Sequence, residues 1–392
     1  MTRRVVLFLM LAAGLRAQAP VAVALTLEAG RSTFQTGEKI ALRLMFTAST
    51  AGYMLNNTVT EPASPLDKIV ISPEIGVSRW LEERARGHRY VPDYASMVDL
   101  EPGKPQTITL ALNDVVRFEE PGHYSVQIST DRLFKGPFLQ LEAAGALVTN
   151  AVEIDIEPMS EDEDAARAKL LETEIRASND GRAVREYLEE LDDLTGAGST
   201  AAKLSLFLRP KVLDGTSFAS AKGLWIARDR ALVAARLEEA LRDPKQEASY
   251  ELVRIASELK AALDAPYDPR TPEQASDKNK AEVAVLHELA ETLPSRQGKS
   301  LVGAAQTLLV RLGELRATTN PDFEAAREVL ITHFDQVADM EVEWLLDAYG
   351  KYLVDARLVT ALEQILARTQ FPANRIAVQK QLDRILAGPK EQ

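Results

Sequence analysis

The stretch Val152-Glu153-Ile154-Asp155-Ile156-Glu157-Pro158-Met159-Ser160-Glu161-Asp162-Glu163 decides the fold. In its first half apolar and acidic residues alternate strictly, which is the period of a strand that is wet on one face. In its second half Ser160 is followed three residues later by Glu163, the pattern of a capping box. The acidic run there lies where a helix N-terminus carries its partial positive charge. Upstream of Pro158 the apolar residues keep the period of two, and downstream they recur every three or four residues, as on amphipathic helices. One chain therefore carries two architectures, each with its own core. The expected fold is a multidomain β + α protein, with a β-sandwich over residues 20–158 and an all-α antiparallel, solenoid-like array over residues 159–392.

Working upstream, Val23, Leu25 and Leu27 alternate, and Ile40, Leu42, Leu44 and Phe46 alternate with Lys39, Arg43 and Thr47 among the intervening positions. Leu66 to Ile71 is a short apolar run, Thr107 to Leu112 alternates again, and Tyr124, Val126 and Ile128 form another face. Seven or more short strands separated by turn residues predict a sandwich. The segment Phe118-Glu119-Glu120-Pro121-Gly122-His123-Tyr124-Ser125-Val126 resembles the tyrosine-corner entry to a late strand of immunoglobulin-like sandwiches, in which the tyrosine hydroxyl bonds to backbone a few residues upstream. That resemblance implies an Ig-like module. It implies no function, because the fold hosts many.

Working downstream, apolar residues share helical faces at Val184/Leu188/Leu191/Leu194, Leu252/Ile255/Leu259/Leu263 and Leu301/Ala305/Leu308/Leu312/Leu315. Breaks fall at Pro210, Asp243-Pro244, Pro266 to Pro272, Pro294, Asn320-Pro321 and Phe371-Pro372, so roughly ten helices are expected. Arg228 to Leu237 echoes Asp355 to Leu362, each a short polar lead before an apolar face. Both resemble the second helix of HEAT-type repeats, whose helix pairs stack into curved arrays. The whole arrangement is similar to exported bacterial proteins that join an Ig-like module to HEAT-like helices, a likeness that implies no activity.

Composition narrows the function classes. Net charge is -12 and pI about 5.1, which argues against binding nucleic acid through bulk electrostatics. Arg3 and Arg4, the apolar run Val5 to Leu15 and the small-residue pattern Ala17-Gln18-Ala19 read as a signal peptide over residues 1–19, with cleavage after Ala17 as the alternative to cleavage after Ala19. The expected location is periplasmic or secreted. No other segment reaches the apolar length of a transmembrane helix. With no cysteine in the chain, disulfides, thiolate metal sites and a cysteine nucleophile are excluded.

Three motifs suggest chemistry but lack the partners that chemistry needs. Gly215-Thr216-Ser217-Phe218-Ala219-Ser220 resembles the nucleophile motif of subtilisin-like proteases, yet no upstream histidine sits in that family's context. The expectation is that Thr216 to Ser220 starts a helix, capped by a hydroxyl, with Phe218 entering the core. His287-Glu288-Leu289-Ala290-Glu291 begins like a zinc-protease helix but carries Glu291 where the second histidine belongs. The run Ser160 to Glu163 lacks the alternating ligands and turn glycine of a calcium loop. No cofactor and no metal site are expected.

Between the strands, residues 76–102 place Trp80, Tyr90 and Tyr94 beside Arg84 and Arg86, a combination that could stack on a sugar or peptide. The favoured reading is a long surface loop whose aromatics pack back onto the sandwich, because most such aromatics pack. The leading expectation is a non-catalytic binding or scaffolding protein whose array recognises a protein or peptide partner. The alternatives are a carbohydrate-binding envelope component using these aromatics, and an enzyme with a dispersed inter-domain site.

Overall fold

A computed structural model describes residues 20–58, 66–75, 77–78, 96–136, 140–213, 216–225, 227–264 and 272–387. The chain divides into two compact units, Met1–Gln35 with Lys39–Pro158, and Thr36–Glu38 with Met159–Gln392. The division falls at the proline where the hydrophobic period changes. The segment read as a signal peptide, residues 1–19, lies outside the described residues.

The first unit is built of strands. In chain order they are β1 (Val21–Leu27), β2 (Thr33–Gln35), β3 (Ala41–Ala48), β4 (Tyr53–Asn56), β5 (Asp67–Ser72), β6 (Val77–Ser78), β7 (Met97–Asp99), β8 (Gln106–Ala111), β9 (Arg117–Phe118), β10 (Gly122–Thr130), β11 (Leu133–Lys135), β12 (Glu142–Ala143), β13 (Leu147–Val148) and β14 (Val152–Glu157). One sheet runs β1-β3-β8, antiparallel throughout. In a second, β10 takes β5 along one edge and β14 then β13 along the other, and β2 adds in parallel to β14. A third runs β12-β11-β4-β7.

The period of two is what joins these sheets. Leu42, Leu44 and Phe46 of β3 and Ile108 of β8 point to the same side as one another, and they meet Val126, Ile128 and Ile154 from the second sheet in one continuous core. Register fixes which residues face in: Val126 lies opposite Ile71 and Ile128 opposite Ile69. The tyrosine corner is present. Tyr124 donates its hydroxyl proton to the Glu120 carbonyl at 2.8 Å, and its ring packs on Phe118 with centroids 4.7 Å apart.

A buried ion pair links strands of different sheets. Arg132, fully buried, donates to both Asp67 carboxylate oxygens at 2.6–3.0 Å from β5's first residue. Its remaining amino group donates to the carbonyls of Asn56 and Thr58 at 2.9 and 2.6 Å, at the end of β4. Thr130 adds a further donor to Asp67 at 2.7 Å.

The second unit is a helical array, interrupted once by a two-stranded hairpin. Its elements are α1 (Glu161–Ala177), α2 (Gly181–Asp193), α3 (Ala197–Leu208), the hairpin β15 (Lys211–Leu213) and β16 (Thr216–Phe218), α4 (Ala221–Trp225), α5 (Arg230–Arg242), α6 (Tyr250–Asp264), α7 (Pro272–Glu291), α8 (Gly298–Glu314), α9 (Pro321–His333), α10 (Asp339–Tyr349), α11 (Val359–Arg368) and α12 (Pro372–Leu386). Helices close in sequence pack on one another: α1 on α2 and α3, α5 on α6, α6 on α7, α7 on α8, α8 on α9, and α10 and α11 on α12. Pro321 and Pro372 occupy first helical turns, where a missing N–H breaks no bond.

Helix starts follow the sequence signals. Ser160 and Glu163 form a reciprocal capping box, Glu163 N–H to Ser160 Oγ at 3.2 Å and Ser160 N–H to Glu163 Oε2 at 3.0 Å. The neighbouring acids cap a second helix across space. Buried Asp164 accepts from the N–H groups of Gly196 and Ser199 at 3.0 and 2.8 Å, and Glu161 accepts from Ala197 at 3.1 Å. This brings α1 and α3 so close that a Cβ on Gly198 would meet the Ala165 backbone at 2.5 Å. A side chain there would have to push the two helices apart.

Arg132→Ala leaves the Asp67 carboxylate buried without its cation. The expected loss is about 3–5 kcal/mol, read as an early transition in urea unfolding of the full chain. A loss under about 1 kcal/mol would show that the pair does not hold the sheets together.

Candidate functional site

The helical unit carries an open groove of about 920 Å³. Its floor is one face of α8, where Val302, Gln306 and Val310 recur at helical spacing with Gly303 between them. Nothing lies within 4 Å of the place a Cβ would take on Gly303, so the floor dips there. One wall is the segment Glu247 to Tyr250 and the other runs from Asp335 to Trp344. Three large apolar side chains on the rim are solvent-exposed: Met340 at 80%, Trp344 at 52% and Tyr250 at 39%.

Those exposures have a local cause. On α10, Val342, Leu345 and Leu346 face the core, which turns Met340 and Trp344, four residues apart, outward on the other side. Trp344 leans on Tyr349, ring centroids 5.7 Å apart. Tyr250 is held by Arg311, whose guanidinium lies 4.6 Å over the ring centroid and donates to the phenolic oxygen at 2.7 Å. Arg311 is in turn fixed by buried Glu282, to which its Nε donates at 2.5 Å, and by Glu314.

The first wall has no regular structure between α5 and α6, and it is pinned by donors from the α8 side. Arg296, 3% exposed, donates to the carbonyls of Gln246 and Leu241 at 2.6 and 2.5 Å. Ser300 donates to the Pro244 carbonyl at 2.7 Å, and Thr307 to that of Ala248 at 2.8 Å. The second wall is held from α11 and α12. Arg368 donates to the Asp335 carbonyl at 2.9 Å, and Asn374 donates to that of Asp339 at 2.6 Å. A second cavity, about 740 Å³, lies between α3 and α5, and its lining includes Leu204, Leu208, Arg209, Arg236, Glu239 and Arg242.

The array also contains a buried polar cluster that the sequence reading did not single out. Lys203, fully buried on α3, donates to the carbonyls of Asp192 and Leu194 at 3.0 and 2.5 Å, so a cation sits on the C-terminal end of α2. The Asp192 side chain accepts from the buried Ser220 hydroxyl. Burial pushes the Asp192 carboxyl above the ordinary carboxylate range, while Lys203 and the Ser220 hydroxyl act against that shift. Gly223 packs where any side chain would run into Asp192 and Lys203. With all three groups closed off from solvent, the cluster ties α2, α3 and α4 together and has no room for a substrate.

The protease-like motif resolves differently from the expectation. Thr216 to Phe218 does not start a helix. It is β16, paired with Lys211–Leu213, and the helix begins at Ala221. The two β-branched and aromatic positions Thr216 and Phe218 suit a strand, and the pairing partner Lys211-Val212-Leu213 decides the matter. Ser217 is exposed, and Phe218 enters the core beside Val184 and Leu188 as expected.

Other residues picked from sequence fall as follows. His287 pairs through Nδ1 with Asp322 at 2.9 Å, and that hydrogen bond holds its pKa above the ordinary histidine value. Glu288 instead joins an interhelix network with Arg242 at 2.6 Å and Lys260 at 3.1 Å. His123 sits between Asp155 at 2.7 Å and Glu153 at 3.2 Å on the strand surface. Trp80, Arg84, Arg86, Tyr90 and Tyr94 lie outside the described residues. Among the described residues no three His, Asp or Glu side chains converge as metal ligands, and no helix is long and apolar enough to cross a membrane. The groove was missed because its floor and walls come from segments far apart in the chain, α8, the approach to α6 and the start of α10. Its one sequence signal is Met340-Glu341-Val342-Glu343-Trp344-Leu345-Leu346, whose large apolar residues exceed one helix face.

No protein-family model matches the chain, and no curated protein matches it. Two solved structures of Salmonella alpha-2-macroglobulin align with it, a point mutant at 16% identity and a methylamine-reacted form at 13%, each with a TM-score of 0.20. Each alignment covers 94% of this chain, which spans only 26% of the length of those proteins. At that score the likeness identifies neither fold nor function.

The geometry of the motif yields a graded series. Ser217→Ala is expected to change stability by no more than about 0.5 kcal/mol, as at other exposed surface positions. Ser220→Ala removes a buried donor from Asp192 and is expected to cost about 1–3 kcal/mol. Phe218→Ala is expected to cost roughly 3–5 kcal/mol. Denaturant unfolding of the full chain orders the three, and a fluorophosphonate probe should label neither serine. Labelling of Ser217 that Ser217→Ala abolishes would mean that a base reaches it after all.

Proposed function

We propose that the protein is a non-catalytic binding or scaffolding protein, and that its helical array takes a segment of a protein or peptide partner into the groove over α8. The observation that carries this reading is the exposed trio Met340, Trp344 and Tyr250 around an open cleft. Large exposed apolar side chains gathered around one cleft mark interaction surfaces, whereas scattered ones do not. Tryptophan and tyrosine are also the residues that dominate binding energy at such surfaces. The pinned walls support the reading as well, since a cleft with fixed sides spends less ordering on association.

The location that goes with this reading is periplasmic or secreted, on the strength of the charged start, apolar run and small-residue pattern of residues 1–19. Intact-mass analysis of the protein from a native host is expected to show loss of the first 17 or 19 residues. A full-length soluble product in the cytoplasm would overturn the export reading.

Panning a random peptide display library against the full chain tests the binding reading. Enriched peptides are expected to lose about tenfold or more in affinity for Trp344→Ala and for Met340→Ala, the size typical of a buried anchor. Enrichment of nothing, or of peptides that both variants bind equally well, would overturn it.

A further inference from the structure

The groove also carries information about what fits it, and this inference rests on the binding reading above. Four carboxylates line it, Glu247, Asp335, Asp339 and Glu341, against two cations, Lys299 and Arg368. One pair is already engaged, Arg368 Nε lying 3.6 Å from the Asp339 carboxylate while its terminal nitrogen donates to the Asp335 carbonyl, and Glu341 accepts from Gln306 at 3.1 Å; the lining still carries two more carboxylates than cations. Glu247 and Glu341 stand on opposite walls, so an occupant on the floor lies between them. On the floor Val302 and Val310 are almost wholly buried, Gly303 leaves a hollow, and Gln306 donates to the Glu341 carboxylate, so the accessible apolar surface of the groove is that of Met340, Trp344 and Tyr250.

We infer that the occupant is a cationic amphipathic helix lying along α8, with its apolar face against the exposed Met340, Trp344 and Tyr250 and its basic residues toward the carboxylates of the two walls. The floor from Gly298 to Val310 is about 18 Å long at 1.5 Å per residue, which accommodates three turns of a docked helix. A helix laid in a groove presents apolar anchors at i, i+3, i+4 and i+7 and leaves its flanks to face the walls. Flanks of lysine or arginine meet carboxylates on both sides. Flanks of glutamate meet like charge on both sides, which is how a groove rejects an otherwise shape-compatible partner. A neutral peptide would not engage the wall carboxylates.

The test uses two fluorescein-labelled 14-residue peptides with the same leucine face at i, i+3, i+4 and i+7 spacing, one with lysine and one with glutamate at all remaining positions, titrated into the full chain by fluorescence anisotropy. The lysine peptide is expected to bind about tenfold or more tighter than the glutamate peptide and to weaken as salt rises. The double variant Glu247→Lys, Glu341→Lys, with an unchanged circular dichroism spectrum, is expected to lose that preference. Equal or tighter binding of the glutamate peptide, with both peptides lost in Trp344→Ala, would overturn the cationic assignment and leave the groove reading standing. Lysine-peptide binding that neither variant changes would be attraction to the net negative chain, and would overturn both. Failure of both peptides to bind overturns this inference, and the display experiment then decides the groove reading alone.

Discussion

Much of this structure depends on buried side-chain donors that close onto main-chain carbonyls. Lys203 holds Asp192 and Leu194, Arg296 holds Leu241 and Gln246, and Gln381 holds Gly350 and Leu353 at 2.9 and 2.8 Å. Arg327 donates to the Tyr352 carbonyl at 2.7 Å, and in the strand unit Arg132 holds Asn56 and Thr58. The physical need is general. Each helix ends with four carbonyls that have no partner in the helix, and loops between helices add more. A chain that buries those ends must supply donors from elsewhere. Here the donors come from neighbouring elements, so satisfying a carbonyl also fixes one element against the next.

The acceptors matter as much as the donors. A buried cation is costly to remove from water, and a carbonyl dipole compensates it only in part. The arrangement is therefore completed by acids where space permits. Asp67 is paired to Arg132, and Asp192 lies close enough to Lys203 to feel its charge. The chain has no cysteine, so these ties between elements are made without disulfides. Their effect is on the folded state: they align elements already brought together by the apolar cores.

Local patterns were legible in the sequence, and spatial assemblies were not. The switch of period at Pro158, the capping box at Ser160 and the tyrosine corner at Tyr124 each involve residues within a few positions of one another, so spacing alone carries them. Thr216 to Ser220 misled for the same reason. Its hydroxyls look like caps, and the strand that claims them, Lys211–Leu213, is read only once pairing is known. Lys203 sits in the apolar run Ala201-Ala202-Lys203-Leu204, where a lysine is out of keeping, but nothing local points to the carbonyls it meets. The groove draws its lining from α8, the approach to α6 and the start of α10, segments separated by up to about ninety positions, and no periodicity links them.

The stacked arrangement of Arg311 on Tyr250 has a thermodynamic consequence. A tyrosine on an open rim ordinarily samples several rotamers, and an incoming molecule that ordered it would face the loss of that freedom. Here the guanidinium above the ring, itself locked by Glu282 and Glu314, has fixed the rotamer during folding. A partner bound as proposed would meet the ring already in place, so the entropy change of association at that position would fall on the partner and the released water.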